Sequence, residues 1–273
     1  MFEEIFGVET ITSKTNSTIV KIAKLSNKKY RNEEKLFVCD GKKLLIEAIN
    51  FGAEIKYIII KNDIILDDEL IETIKKYKKN GTIVLCVSSQ VFAKLTEESA
   101  PQGIITVCKF LEKQRRLAIV ENANFEEKIM MFESIRDPGN IGTIIRNAAA
   151  FGIDRLIFSS DCADIYSTKV IRAAMGAIFK VKIDIVDDFK GSLLTLKKNG
   201  KRILSATLGK KSLILGKDEL LTNDVVIIGN EGHGISEEIV KESDQTILIP
   251  MCENTESLNA AIATSIFMWE YNK

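Results

Sequence analysis

No apolar run in the 273 residues approaches the length of about 20 that a membrane helix needs, so no membrane-spanning helix is expected. The first residues, MFEEIFGVET, are acidic and lack the basic and apolar regions of a signal peptide, which points to a cytoplasmic protein. Net charge is absent as well: 38 basic residues stand against 38 acidic ones, so bulk charge gives no argument for nucleic acid. The five cysteines are an odd number with no metal-ligand spacing, which excludes a disulfide framework and a zinc site. Three of them (Cys39, Cys86, Cys108) sit in apolar, strand-like runs and read as buried thiols. There is neither a dinucleotide fingerprint G-x-G-x-x-G nor a P-loop, which removes the nucleotide-binding oxidoreductase reading. The one histidine, His233, lies in a glycine-rich stretch and reads as a partly exposed loop residue.

What is present is a soluble composition, 45% hydrophobic, in which helical and strand-like segments alternate. In the first half, helices are expected over Ser17–Ser26, Lys42–Phe51, Asp67–Lys79 and Val91–Leu95, and strands at LFVCDG, YIIIK, TIVLCVS and GIITVCKF. SNKKYRNEEK between them reads as a polar, basic loop. The charged break Glu112–Arg116 marks a domain boundary. In the second half, strands are expected at Ile129–Ser134, Arg155–Phe158, Val181–Val186, Arg202–Ala206, Val225–Ile228 and Thr246–Ile249. Helices are expected at Ile141–Phe151, Thr168–Met175, Phe189–Lys198, Glu237–Lys241 and Leu258–Tyr271. From Lys14 to Lys43 nine basic residues, among them Lys28, Lys29, Arg31, Lys42 and Lys43, face only three acidic ones (Glu33, Glu34, Asp40), a local phosphate-binding candidate or a solvated helix face.

Three segments put polar or glycine residues at the edge of apolar runs, where α/β enzymes build their sites: DPGNIGTIIRNAAAFG (Asp137–Gly152), IIGNEGHGIS (Ile227–Ser236) and IPMCENTESLNAAIA (Ile249–Ala263). In the first, Pro138-Gly139 is a turn signal and Asn140 a candidate cap for the helix that Gly152 ends. On its wheel Ile141, Ile144, Ile145, Ala148 and Phe151 form the core face, and Arg146 falls on the other side among small residues. Periodicity therefore makes Arg146 a solvated arginine, although its rigid fork also suits a ribose phosphate. In the second, glycines let backbone approach a ligand closely. In the third, Ser257 is a candidate helix cap.

Taken together and in this order, the three segments resemble the signature of the SpoU/TrmH family, RNA ribose 2′-O-methyltransferases of the knotted SPOUT class, closely over residues 115–273. TKVIRAAMGAIFKVKI (Thr168–Ile183) resembles a further family segment, with Ala174 in place of serine. KLSNKKYRNEEKLFVCDGKKLLIEA resembles the upstream RNA-binding domain of the larger members. The resemblance implies an α/β chain of two domains. Residues 1–112 would be a smaller RNA substrate-binding domain and 113–273 a catalytic α/β-knot, a parallel sheet whose C-terminal segment threads a trefoil.

It further implies S-adenosylmethionine as cofactor, RNA as partner and a homodimer with the site at the subunit interface. Asn140 and Arg146 match the family's catalytic positions, Glu231 would lie near the reacting ribose, and Ser257 and Asn259 would be polar members of the site. Gly229, Asn230 and Gly232 would border the cofactor, with Ile249, Met251 and Leu258 lining it. LSATLGKKS, with Thr207 and Leu208, would lie against its adenosine. Glu253 departs from the pattern, where glycine is common, and could alter the loop or its RNA contacts. The RNA-binding set would be Lys28, Lys29, Arg31, Lys42 and Lys43. The expected acceptor is a ribose 2′-hydroxyl in 23S ribosomal RNA. Transfer RNA as acceptor, or a non-catalytic RNA-binding or ribosome-assembly protein on the same fold, are the alternatives.

Overall fold

The computed structural model describes residues 2–121, 123–209, 212–252 and 257–273. Glu253 and the lysines of LSATLGKKS fall outside the described residues. The chain divides into two compact units, Met1–Leu111 with Tyr166–Phe179, and Glu112–Ile165 with Lys180–Lys273.

The first unit holds a mixed five-stranded sheet: β1 (Thr10–Ile11), β2 (Leu36–Asp40), β3 (Ile55–Lys61), β4 (Ile83–Val87) and β5 (Ile104–Lys109), in the order β1-β4-β3-β5-β2. β3 runs parallel to β4 and antiparallel to β5, and β2 pairs antiparallel to β5. Residues 57–60 of β3 read as a continuous buried run because the strand is central and covered on both faces. Ile19, Ile22 and Leu25 pack with Val91 and Phe92 against Leu36, Val38, Ile59, Ile105 and Val107 on one side of that sheet.

The stretch expected as a basic loop is instead a helix, Lys28–Glu34, capped by Asn27 and ended by Lys35 in the left-handed conformation. Its inward residue is Arg31, whose Nη1 donates to the carbonyls of Leu25 and Ser26, each at 2.7 Å. A helix whose inward anchor is an arginine carries no apolar stripe, so the 3.6-residue period was hidden. The same burial corrects the reading of Arg31 as an RNA contact: it is 3% exposed and ties the helix to the preceding turn. Lys28, Lys29 and Lys43 are exposed, and Lys42 is half-buried in an ion pair with Asp67.

The second unit is built on an eight-stranded sheet among the described residues: β6 (Gln114–Leu117), β7 (Ile129–Phe132), β8 (Arg155–Ser159), β9 (Lys182–Val186), β10 (Arg202–Ala206), β11 (Leu213–Ile214), β12 (Asp224–Ile228) and β13 (Gln245–Leu248). The order is β11-β13-β10-β12-β7-β8-β9-β6, and every pairing is parallel. The charged break is therefore partly a strand: β6 forms the sheet edge, with Arg115 gripping Asp184 of β9 through two hydrogen bonds of 2.9 and 3.0 Å. Phe189, Leu193, Leu196 and Ile239 bring the helices Phe189–Lys198 and Glu237–Glu242 onto Ile129, Met131, Ile203, Val225 and Ile227. The helices Pro138–Ala150 and Ala260–Glu270 pack on each other. There Asn147 Nδ2 donates to Ser265 Oγ at 2.6 Å, and the Phe151 and Trp269 rings meet edge-on at 6.1 Å.

At the start of two central strands Arg202 and Asp224 face each other in register, joined by two bonds of 2.6 Å. Cys39, Cys86, Cys108 and Cys162 are buried and Cys252 is exposed, all as free thiols. Among the described residues no helix is long and apolar enough to cross a membrane, and no cluster of His, Cys, Asp and Glu could hold a metal ion.

Candidate active site

In an all-parallel sheet every strand ends on the same edge, and strands lie about 4.8 Å apart. The order β13-β10-β12-β7 therefore brings four loops side by side: Ile249–Cys252, Thr207–Gly209, Gly229–Ser236 and Glu133–Asp137. This is how segments more than a hundred residues apart in the chain become one site.

The helix after β7 begins three residues earlier than its apolar periodicity suggests. It is capped by Asp137, whose Oδ1 accepts from Asn140 N at 2.9 Å, with Pro138 at the first helical position. Asn140 is thus not the cap but the third helical residue, and its side chain is free for other work. It is 8% exposed, its Nδ2 donates to Glu231 Oε1 at 2.8 Å, and its Oδ1 accepts from Asn259 Nδ2 at 2.9 Å. Asn259, not Ser257, caps the last helix: its Oδ1 accepts from Ala261 N and Ile262 N at 2.9 and 3.2 Å. The orientations are fixed from both ends. A carboxylate only accepts, so Asn140 must offer Glu231 its nitrogen; backbone N–H groups only donate, so Asn259 must offer them its oxygen. The relay Glu231–Asn140–Asn259 follows with no amide left to choose.

Glu231 is also reached by the N–H groups of Arg136 (3.4 Å) and Asp137 (3.5 Å). Partial burial works against its charge, but the hydrogen bonds from Asn140 and from the backbone of Glu231, Arg136 and Asp137 prevail and hold its carboxyl below the usual glutamate range. The loop carrying it is closed by reciprocal backbone bonds between Asn230 and Gly234 of 3.0 and 2.9 Å. Asn230 Oδ1 accepts from Gly232 N and His233 N, and its Nδ2 donates to the Ser134 carbonyl at 2.7 Å. Gly229 permits this turn, since a Cβ there would lie 2.3 Å from the Gly234 carbonyl carbon. His233 is exposed at the rim of an open cleft that Glu133, Ser134, Arg136, Glu231 and Ser236 also line.

Around the neighbouring strand ends the surface is apolar. Leu208 is 78% exposed, Met251 is exposed, and Thr207, Ile249 and Leu258 are half-buried. Ser257 is exposed two residues before the cap. Arg146 is exposed on the helix of Asn140, and no ion pair or hydrogen bond engages its guanidinium among the described residues. Six residues on, it lies about 9 Å along the axis and about 120° round from Asn140. It therefore lies on a different face of the helix from Asn140.

Residues 127–269, more than half of the chain, match the model of the SpoU rRNA Methylase family. The chain belongs to that family. Residues 16–106 match the MRM3-like substrate binding domain. The chain is 27% identical over 264 residues to the 23S rRNA (guanosine(2553)-2′-O)-methyltransferase RlmP of Bacillus subtilis, covering 96% of this chain and 98% of that protein. It is 24% identical to the mitochondrial rRNA methyltransferase 3A of Danio rerio, covering 88% of this chain and 64% of that one. The crystal structure of an rRNA methyltransferase from Sinorhizobium meliloti superposes with a TM-score of 0.85 at 28% identity, covering 97% of both chains. An AdoMet-bound rRNA methyltransferase from the same organism gives 0.81 at 27%, again covering 97% of both.

Sequence reasoning missed Asp137, Arg136 and Ser134. The Asp137-Pro138 pair was the available signal for the first, because Asp before a proline at the first helical position is an N-cap signature. The other two carry no spacing signal.

Proposed function

We propose that this chain transfers the methyl group of S-adenosylmethionine to a ribose 2′-hydroxyl of 23S ribosomal RNA. One observation carries the reading: the polar relay Glu231–Asn140–Asn259 adjoins the strand ends of β12, β10 and β13, where the apolar side chains of Leu208 and Met251 stand exposed. That set fits the cofactor. An adenosine asks for apolar walls and backbone partners, which Leu208, Ile249, Met251, Leu258 and the Gly229 turn supply. The cofactor provides an electrophilic methyl group.

The residues of the chain do the rest. The relay holds two helix N-termini together, those of Pro138–Ala150 and Ala260–Glu270, and their positive ends favour negative charge developing on the acceptor oxygen. Glu231 remains ionised and fixes the Asn140 amide. Arg146 stays protonated under ordinary conditions, so it is not a general base. It grips the target phosphate and stabilises the developing alkoxide, while the proton leaves to a neighbouring oxygen or water.

Because Arg146 lies on a different helix face from Asn140, the reading includes a homodimer in which each Arg146 serves the partner subunit's site. Ile262 and Trp269, seven residues apart on one helix face and 54% and 56% exposed, supply the apolar surface for it. It also includes the trefoil knot, supported by β12 returning between β10 and β7, and residues 1–112 as the substrate-binding domain, supported by exposed Lys28, Lys29 and Lys43. With ribosomal RNA as substrate, the place of work is the cytoplasm.

The test is acceptor choice. Ribosomal and transfer RNA from cells lacking the protein are offered with labelled cofactor, and ribosomal RNA is expected to take the label. Equal or better transfer to transfer RNA overturns the acceptor assignment.

A further inference from the structure

Beside the relay, the loop after β8 grips the loop after β7. Asp161 Oδ2 accepts from Ser134 Oγ at 2.6 Å and from Arg136 Nη2 at 2.7 Å, and its Oδ1 accepts from Ser159 Oγ at 2.6 Å. Ser159 Oγ in turn accepts from Ser134 N at 2.8 Å. The same loops are joined by Ala163 N to the Ile135 carbonyl at 2.9 Å and by Ile135 N to Cys162 Sγ at 3.2 Å. Ser134 is held at φ +57°, a left-handed conformation that serine seldom adopts without support. What this grip fixes matters for the site. Residues 134–137 carry the Arg136 and Asp137 N–H groups that reach Glu231, and the Ser134 carbonyl that anchors Asn230.

We propose that Asp161 is a positioning residue for methyl transfer: through Ser134 and Arg136 it sets the 134–137 segment, and thereby the Glu231 carboxylate and the Asn140 amide. It acts at two removes and touches neither cofactor nor acceptor. The three hydroxyl and guanidinium donors converge on one carboxylate, which ties Ser134 and Arg136 of the segment to Ser159 at the end of β8. Asparagine at this position keeps an oxygen for Ser134 and Arg136, loses the charge, and turns its NH2 toward Ser159 Oγ, which must then accept instead of donate. Alanine removes all three bonds and frees a strained serine beside the relay. This inference rests on the methyl-transfer reading, and its test separates the two.

The experiment compares the wild type with Asp161→Ala and Asp161→Asn in the full chain. It reads single-turnover methyl transfer to ribosomal RNA, cofactor affinity by calorimetry, and amide hydrogen exchange over residues 134–137. Asp161→Ala is expected to lower the transfer rate roughly 10- to 50-fold, as a displacement near 1 Å at a reacting centre does. Cofactor affinity should stay within about twofold, with faster exchange at Arg136 and Asp137. Asp161→Asn is expected to recover most of the rate and the protection, which a loss of folding alone does not give. Wild-type exchange over 134–137 in Asp161→Ala overturns the proposal, and so does faster exchange with an unchanged transfer rate. A wild type that transfers no methyl overturns the functional reading instead, and the exchange result then decides whether Asp161 holds the loop.

Discussion

Replacing Glu231 by glutamine tests the relay at its fixed end. The glutamate receives three donors: Asn140 Nδ2 at 2.8 Å and the N–H groups of Asp137 and Arg136 at 3.5 and 3.4 Å. A glutamine amide has one oxygen. If that oxygen faces Asn140, the new NH2 faces the Arg136 N–H, donor against donor; if it turns round, Asn140 loses its acceptor and its own amide is released to flip. A hydrogen bond to a charged group contributes about 1.5–3 kcal/mol, and the exposure of Glu231 reduces this to about 1–2 kcal/mol. Loss of that much orientation in the transition state lowers the rate roughly 5- to 30-fold. Single-turnover transfer at saturating cofactor reads it, and cofactor affinity should be near wild type. The acid limb of the pH profile follows with a definite sign. Donors bind the ionised carboxyl and hold its folded value below the usual glutamate range, so its contribution is complete above about pH 4.3 and is lost as pH falls through the lowered folded value. Glu231→Gln should flatten that limb. A glutamine variant with wild-type rate would refute the role given to the relay.

Three further outcomes are expected. Gly229→Ala places a Cβ 2.3 to 2.4 Å from Gly234 and Ile235 backbone, so the loop must shift by about 1 Å; cofactor affinity by calorimetry should fall roughly tenfold, consistent with overpacking costs of about 1–3 kcal/mol, and an unchanged value refutes the close approach. Asp224→Ala strands the Arg202 guanidinium and the Leu221 N–H at the foot of β10 and β12; the urea midpoint should fall by the equivalent of about 3 kcal/mol at unchanged slope, and a loss under about 1 kcal/mol contradicts the pairing's importance. Trp269→Glu puts a charge on the exposed face of the last helix; sedimentation should show a dimer becoming a monomer with transfer lost, and an active monomer rules out a site shared between subunits.

The alternation of strand and helix was legible because β7, β8, β9, β10, β12 and β13 are short, mainly apolar runs ended by glycine or a polar loop, whereas the charged β6 and the two-residue β11 were not. That the three motifs stand at strand ends was legible for the same reason. Sheet order was not: nothing in VVIIGN says that β12 lies between β10 and β7, and it is that placement which joins Glu231 to Asn140. The helix Lys28–Glu34 escaped because its buried anchor is Arg31, a residue that pattern reading assigns to solvent. The caps were displaced by two or three residues, Asp137 for Asn140 and Asn259 for Ser257, since several adjacent polar residues can cap and only geometry selects one. That correction has a functional consequence: it frees the Asn140 amide for Glu231. The grip of Asp161 on Ser134 and Arg136 spans 25 to 27 residues between two loops and leaves no periodic trace.

The measurement that tests the central claim most directly is transfer of labelled methyl from S-adenosylmethionine to 23S ribosomal RNA, followed by alkaline hydrolysis, with wild type and Arg146→Ala side by side. The account predicts label at one nucleotide, in a linkage that resists alkali because the 2′-oxygen is blocked. It predicts loss of transfer with Arg146→Ala while cofactor affinity is kept. Label on a base, with the backbone cleaved normally beside it, or full transfer by Arg146→Ala, would contradict it.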